Sequence, residues 1–183
     1  MASILNVDQI NNAAGTSGIA LDASTGKPSF PNGAVLPAGS VIQVVNTTWG
    51  SSNQTINGTT FTEITNLTTS ITPFFTGSKI LVQSNIDFGN AFNGAIWYEW
   101  KLYRDTTSNL VASAATYFSG VYGNPIGPHT LFNTIDSNTT TAGVSRSYKV
   151  YGRADGNSSG SLSINWSTSQ GSTSSMTLME IAQ

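Results

Sequence analysis

At 183 residues the chain is sized for one domain with a real core plus a short arm, and its seven Lys and Arg, scattered from Lys27 to Arg153 within a net charge of −2, exclude a basic face for nucleic acid. It has no cysteine, which excludes disulfides, and no apolar run approaches the roughly 18 residues of a spanning helix, so no membrane insertion of that kind is expected. Charged residues make up 9% and aromatics 10%, and the abundance of Ser, Thr, Asn and Gly beside β-branched residues describes a folded, strand-forming chain rather than a disordered one.

Residues 1–38 carry short apolar touches, among them Ile4, Leu5, Val7, Ile10, Ile19 and Leu21, separated by polar turns such as Asn11-Asn12 and Ser24-Thr25-Gly26-Lys27. They hold no helical period, and Pro28, Pro31 and Pro37 close the segment. Such a stretch cannot bury itself. It reads as an extended arm or narrow stalk that finds its core on another surface, with Ile4, Leu5, Val7 and Ile10 as the docking residues; a mobile tail is the alternative. The opening MASILNVDQINN lacks the basic region and apolar core of a signal peptide, so a product of the cytosol is expected.

From Gly39 onward, through residues 39–183, the period changes to two. Ser40 to Asn46 is a first strand. Lys79 to Phe88 sets Ile80, Val82, Ile86 and Phe88 against Lys79, Gln83, Asn85 and Asp87, the pattern of a half-buried strand. Ile96 to Asp105 opposes Ile96, Tyr98, Trp100 and Leu102 to Trp97, Glu99, Lys101 and Tyr103. With aromatics on both faces it belongs mid-sheet, one face on the core and the other on a second surface, for which a further subunit is the candidate. Trp97, Tyr98, Trp100 and Tyr103, with Trp166, are therefore read as core or intersubunit packing.

Asn109 to Ala115 returns after the turn at Asp105-Thr106-Thr107-Ser108 as a hairpin. Gly120 to His129, with Pro125 and Pro128, reads as a fixed irregular loop that excludes a central strand. Strands follow at Ser145 to Arg153, Ser161 to Ser167 and Ser175 to Ala182, the first two joined as a hairpin through Ala154-Asp155-Gly156-Asn157. Eight or nine strands fit an all-β sandwich of jelly-roll type better than a small closed barrel.

Chemistry is sparse. His129 is the one imidazole in the chain and no G-x-S-x-G elbow accompanies it, so a nucleophilic triad has no support and neither a transition-metal site nor any cofactor is expected. The carboxylates Glu63, Asp87, Glu99 and Asp105 are the candidates for a sugar-cleaving pair, against which Glu99 and Lys101, two apart on one face, read as a plain ion pair. Asp136 and Asp155 read as turn caps. The aromatics offer more: Tyr117, Phe118, Tyr122 and Phe132 flank the proline-containing loop and, with His129, are candidates for receptor or glycan contact, with packing as the alternative.

Two passages carry a resemblance. Met1-Ala2-Ser3-Ile4-Leu5-Asn6-Val7-Asp8-Gln9-Ile10 resembles the start of virion structural and tail-fibre proteins of cyanobacterial and marine tailed phages. Gly39 to Val44, Ser70 to Pro73, Ser78 to Val82 and Leu178 to Ala182 are similar to the C-terminal sandwich modules of those proteins, commonly trimeric and related in shape to the jelly rolls of the C1q and tumour necrosis factor group. No family catalytic residues exist to carry over, and the long stalks of C1q-type proteins are absent. The resemblance implies a non-enzymatic exterior virion protein and a homotrimer touching other virion proteins. Capsid decoration or cement is favoured because an arm of 38 residues spans at most about 130 Å. A tail fibre or tail appendage meeting a host receptor or surface glycan follows closely; a carbohydrate-binding module and a depolymerase are rivals from other classes.

Overall fold

The structure, a computed structural model, describes residues 9–11, 17–21, 24, 28–29, 36–50, 52–90, 94–120, 125–138, 140–155, 161–165 and 172–183. It divides into two units, Met1–Pro37 and Ala38–Gln183. In the first, β1 (Gln9–Asn11), β2 (Ser17–Leu21) and β3 (Pro28–Ser29) form a small antiparallel sheet in chain order, with Ile10 opposite Ile19.

Among its described residues the second unit has eleven strands: β4 (Val41–Trp49), β5 (Gln54–Asn57), β6 (Thr62–Glu63), β7 (Thr69–Ile71), β8 (Lys79–Asn90), β9 (Gly94–Arg104), β10 (Leu110–Gly120), β11 (Pro125–Asp136), β12 (Arg146–Asp155), β13 (Ser161–Ile164) and β14 (Ser174–Ile181). A 3-10 turn, Thr65–Leu67, joins β6 to β7. Pairing is nested: β4 with β14, β5 with β13, β6 and β7 with β12, β8 with β11, and β9 with β10. The chain is thus one long hairpin whose tip is the turn after Arg104, closed by Arg104 N–H donating to Asn109 C=O at 3.0 Å. Cross-pairing of β14 and β13 with β8, and of β12 with β9, wraps that hairpin into two antiparallel sheets. A nested hairpin wrapped in this way is a jelly-roll sandwich.

Period-two alternation decides which face closes on which. Ile80, Val82, Ile86 and Phe88 from one sheet and Tyr98, Trp100, Leu102, Tyr148 and Val150 from the other are all within 1% of full burial. Phe88 joins the layers, its ring centroid 5.0 Å from Trp100 and 5.9 Å, edge-on, from Tyr98. Gly152 lies directly opposite Trp100. A Cβ there would come within 3.0 Å of the indole, so the large ring is accommodated by the absence of a side chain.

Three expectations are corrected. The segment from Pro125 is a strand, not an irregular loop, and β10 already runs to Gly120. Its prolines are tolerated because β11 pairs with β8 alone among the described strands, so one of its sides needs no N–H donors, and bulges beside Pro125 and Thr130 absorb the misfit. The expected hairpin through Asp155 does not form: β12 and β13 belong to different sheets, making that connection a crossover between layers. The strand count was low because β5, β6 and β7, of four, two and three residues, are too short to show a period.

Candidate functional site

Outward side chains fall into rows set by strand register, and the two sheets fill those rows differently. Across β4, β14, β8 and β11, Val44, Met179, Leu81 and Ile135 stand directly opposite one another. Val44 is 56% and Ile135 55% exposed, and exposed Val41 lies beside them opposite Ile181. The adjoining row, Asn46, Thr177, Gln83 and Asn133, is a polar ladder in which Asn46 Nδ2 donates to Thr177 Oγ1 at 2.7 Å and Gln83 Nε2 to Asn133 Oδ1 at 3.3 Å. The sheet therefore presents an apolar stripe, about 15 Å across four strands, bordered on one side by uncharged hydrogen-bonding groups and on the other by the row Val41, Ile181 and Lys79.

The outer face of the other sheet mixes rings and ions. Its rows run Tyr117–Trp97, then Ala115–Glu99–Arg153, then Ser113–Lys101–Tyr151, then Tyr103–Lys149. Trp97 and Tyr117 meet at a 49° tilt with centroids 4.8 Å apart, each about half exposed. Tyr103 meets Tyr151 edge-on at 5.2 Å. Glu99 Oε2 accepts from Arg153 Nε at 3.0 Å and Nη2 at 2.8 Å. Phe61, just ahead of β6, lies under both cations, Lys101 Nζ at 4.2 Å and Arg153 Cζ at 4.6 Å from its ring centre. Between them opens a trough of about 320 Å³, floored by Ser113, Ala114 and Ala115 and flanked by Phe61, Glu99 and Lys101.

Glu63 closes the far side of this face, accepting from Lys149 Nζ and from Tyr151 Oη at 2.9 Å. Burial alone would raise its carboxyl, but Tyr151, Lys149 and Thr68 outweigh it and hold it below the usual range. Burial and the Glu63 hydrogen bond push the Tyr151 phenol up to about 12.

The candidate residues from sequence scatter. Ile4, Leu5, Val7, Tyr122 and Trp166 lie outside the described residues, as do the side chains of Ile10 on β1, Phe118 on β10 and His129 on β11, the last opposite Ile86. Tyr117 is exposed, whereas Phe132 is 3% exposed and built into the core, which removes it from any receptor surface. Its inward place follows from β11 being a strand whose alternation sends Asn133 and Ile135 outward. Tyr98 and Trp100 are buried, Tyr103 is half-buried, and Trp97 joins Tyr117 outside.

Of the four carboxylates considered for sugar cleavage three are engaged in ion pairs, while Asp87, 8% exposed on β8, has an Oδ1 with no hydrogen-bond partner among the described residues. Glu99 pairs with Arg153 rather than Lys101; Asp105 accepts from Arg146 and the Ser147 N–H; Glu63 is tied as above. Asp136 caps Asn138 N–H as a turn residue should, and also receives Arg104 Nη1 and Tyr148 Oη, which bridges the two sheets. Among the described residues no group of three His, Cys, Asp or Glu side chains is placed to hold a metal ion, and no helix is long and apolar enough to cross a membrane.

The fold and this surface define a class, the all-β jelly-roll sandwich with one aromatic, ion-bearing face and one apolar-striped face. No family model matches the chain, and no curated protein does. Among solved structures, that of infectious bursal disease virus Gx strain is 14% identical, with a TM-score of 0.42 over 89% of this chain and 36% of its own. The infectious bursal disease virus VP2 subviral particle is 11% identical, with a TM-score of 0.37 over 90% and 42%. Eiger TNF from S. frugiperda is 13% identical, with a TM-score of 0.36 over 76% and 94%. The chain thus spans about two-fifths of the length of the viral structures it matches.

Proposed function

We propose that the chain is a non-enzymatic structural protein of the exterior of a tailed-bacteriophage virion, assembled as a homotrimer and serving as a capsid decoration or cement protein. The observation that supports this reading is the outward row Val44, Met179, Leu81 and Ile135: aliphatic side chains placed in register across four strands, where a solvated sheet face would carry polar ones. Subunit contact covers that stripe, and the adjoining Asn, Thr and Gln ladder lets the contact end without burying an ion. The N-terminal segment, through Ile4, Leu5, Val7 and Ile10, is the arm that docks on neighbouring virion proteins. The likeness of its opening residues to phage virion proteins supports the same reading.

Two measurements test it. Sedimentation equilibrium of the purified chain should give three times the monomer mass, and Val44→Glu with Ile135→Glu should reduce it to one. A wild-type monomer at tens of micromolar would remove the trimer. Quantitative mass spectrometry of purified particles should find hundreds of copies, the capsid result; absence from particles would end the virion reading.

A second reading, a tail fibre or tail appendage that touches a host receptor such as a surface glycan, is favoured by the half-exposed Trp97–Tyr117 pair beside an open trough. It would appear in the same measurement as copies in single or low double figures.

A further inference from the structure

We propose that the trough lined by Phe61, Glu99, Lys101 and Ser113, together with the Trp97–Tyr117 pair one row further along, is a saccharide-binding site that takes a chain of sugar rings along β9. This deepens the receptor reading above, on which it rests, by giving it a site and a ligand class; the trimer does not depend on it.

Sugars are recognised by two kinds of group together. An aromatic ring covers the C–H face of the pyranose, and polar side chains pair with the hydroxyls around its rim. Both are present here in adjacent rows. Trp97 and Tyr117 are half exposed and already in tilted contact, 49° between ring planes, so less side-chain freedom remains to be lost when a sugar ring settles against them. One row further on, Glu99 offers Oε1, since Oε2 takes both bonds from Arg153. Ser113 Oγ and Lys101 Nζ, in the next row, have no hydrogen-bond partner among the described residues, and Lys101 Nζ lies 4.2 Å from the centre of the Phe61 ring. A carboxylate oxygen, a hydroxyl and an ammonium thus supply acceptor and donors around one space.

The shape agrees with the chemistry. Ser113, Ala114 and Ala115 line the trough with small residues beside Phe61, and the space of about 320 Å³ lies within the range of small-ligand sites. From Trp97 to the Tyr103–Tyr151 pair the face runs about 20 Å, at roughly 3.4 Å per residue, long enough for several linked rings with an aromatic at each end. A nucleic-acid strand would also stack on rings, but it needs a line of cations, and here Arg153 is committed to Glu99 and Lys149 to Glu63. Lys101 forms no ion pair among the described residues. That favours a saccharide bearing occasional uronic acids over a strictly neutral one.

The test is binding of the full chain to an array of bacterial envelope polysaccharide fragments, neutral and uronate-containing in separate sets, followed by titration of the best binder. Two variants probe the site: Trp97→Ala, which removes the stacking surface, and Ser113→Trp, which fills the floor. Both positions face outward, and unchanged circular dichroism melts will show that each variant folds. The expected result is wild-type binding that weakens at least tenfold in both variants. No binding to either set, or less than a tenfold loss in either folded variant, would overturn the site. A trimer that persists alongside such a failure would separate it from failure of the assembly reading.

Discussion

The two sheets of the sandwich handle negative charge in opposite ways. In the six-stranded sheet, Glu180 and Asp136 point inward, 0% and 3% exposed, and are saturated with donors: Glu180 accepts from Phe74 and Phe75 N–H, Ser78 Oγ and Gln43 Nε2. In the five-stranded sheet, Glu63 and Glu99 point outward, about a quarter to a third exposed, each paired with a cation. A carboxylate drawn inside serves as a lock, and the apolar row above it carries no acid, with Lys79 in the neighbouring row its nearest charge in register. A carboxylate left outside in a half-wet pair keeps its face hydrated and open to a polar ligand. The difference between a contact face and a recognition face is thus set by which side of the strand carries the acid.

The largest effect should come from breaking the lock. Glu180 holds the segment Thr72–Ser78 to β14, and Glu180→Ala would leave two backbone N–H groups and a hydroxyl without their acceptor. We expect a loss of about 4 kcal/mol, read from urea unfolding. A loss under about 1 kcal/mol would mean that water replaces the carboxylate and that the inward acids are incidental. Acid should have the same target. Burial alone would raise Glu180, but its donors hold it below the ordinary carboxylate range, and Asp136 is lowered in the same manner by Asn138, Arg104 and Tyr148. A depressed folded value means that the unfolded chain takes up the proton first. Stability is therefore whole above the ordinary carboxylate range, and it drains as pH falls from about 5 through the folded values. Glu180→Gln, measured across that window, should flatten the decline.

A middling effect should come from inside the five-stranded sheet. Gly152→Ala places a methyl group 3.0 Å from the Trp100 ring and 3.3 Å from Leu162, in a layer where both neighbours are fully buried. Overpacking of this kind costs about 2 kcal/mol, and it should broaden the near-ultraviolet signal of the indole before the fold is lost. An unchanged melt would show that the inner layer beneath the recognition face is looser than its burial implies.

How much of this could be read in the chain depended on length of period and on separation in sequence. The strands β8 and β9, of twelve and eleven residues, announce themselves because Ile80, Val82, Ile86 and Phe88, and then Tyr98, Trp100 and Leu102, recur every second position. Pro125 and Pro128 concealed β11, since whether a proline breaks a strand depends on whether its missing N–H faces a neighbour, and sequence does not say which strand is the edge. Glu99 and Lys101 were visible as a pair on one face. Their partners Arg153 and Phe61 lie about 40 to 55 positions away and are brought in only by the β9–β12 register and the turn before β6. Glu180 gave no signal at all: in an alternating strand it reads as a solvent residue out of phase, and its role follows from a loop more than 100 positions earlier.

The smallest effect tests the other half of the comparison. Lys149 and Glu63 meet at 3.2 Å with side chains 30% and 26% exposed, and such a pair gains little because water competes for both charges and two long side chains must be held in place. Lys149→Met keeps the aliphatic stem against Tyr103, its partner in register, and removes only the charge. We expect a change below about 1 kcal/mol in urea unfolding, shrinking further in high salt. Glu63 would still accept from Tyr151 and Thr68, so the edge of the face should keep its shape. A loss approaching that of Glu180→Ala would mean that the outward acids of this sheet are locks as well. The division between a face made for burial and a face kept wet for a ligand would then have no basis in how the molecule spends its charge.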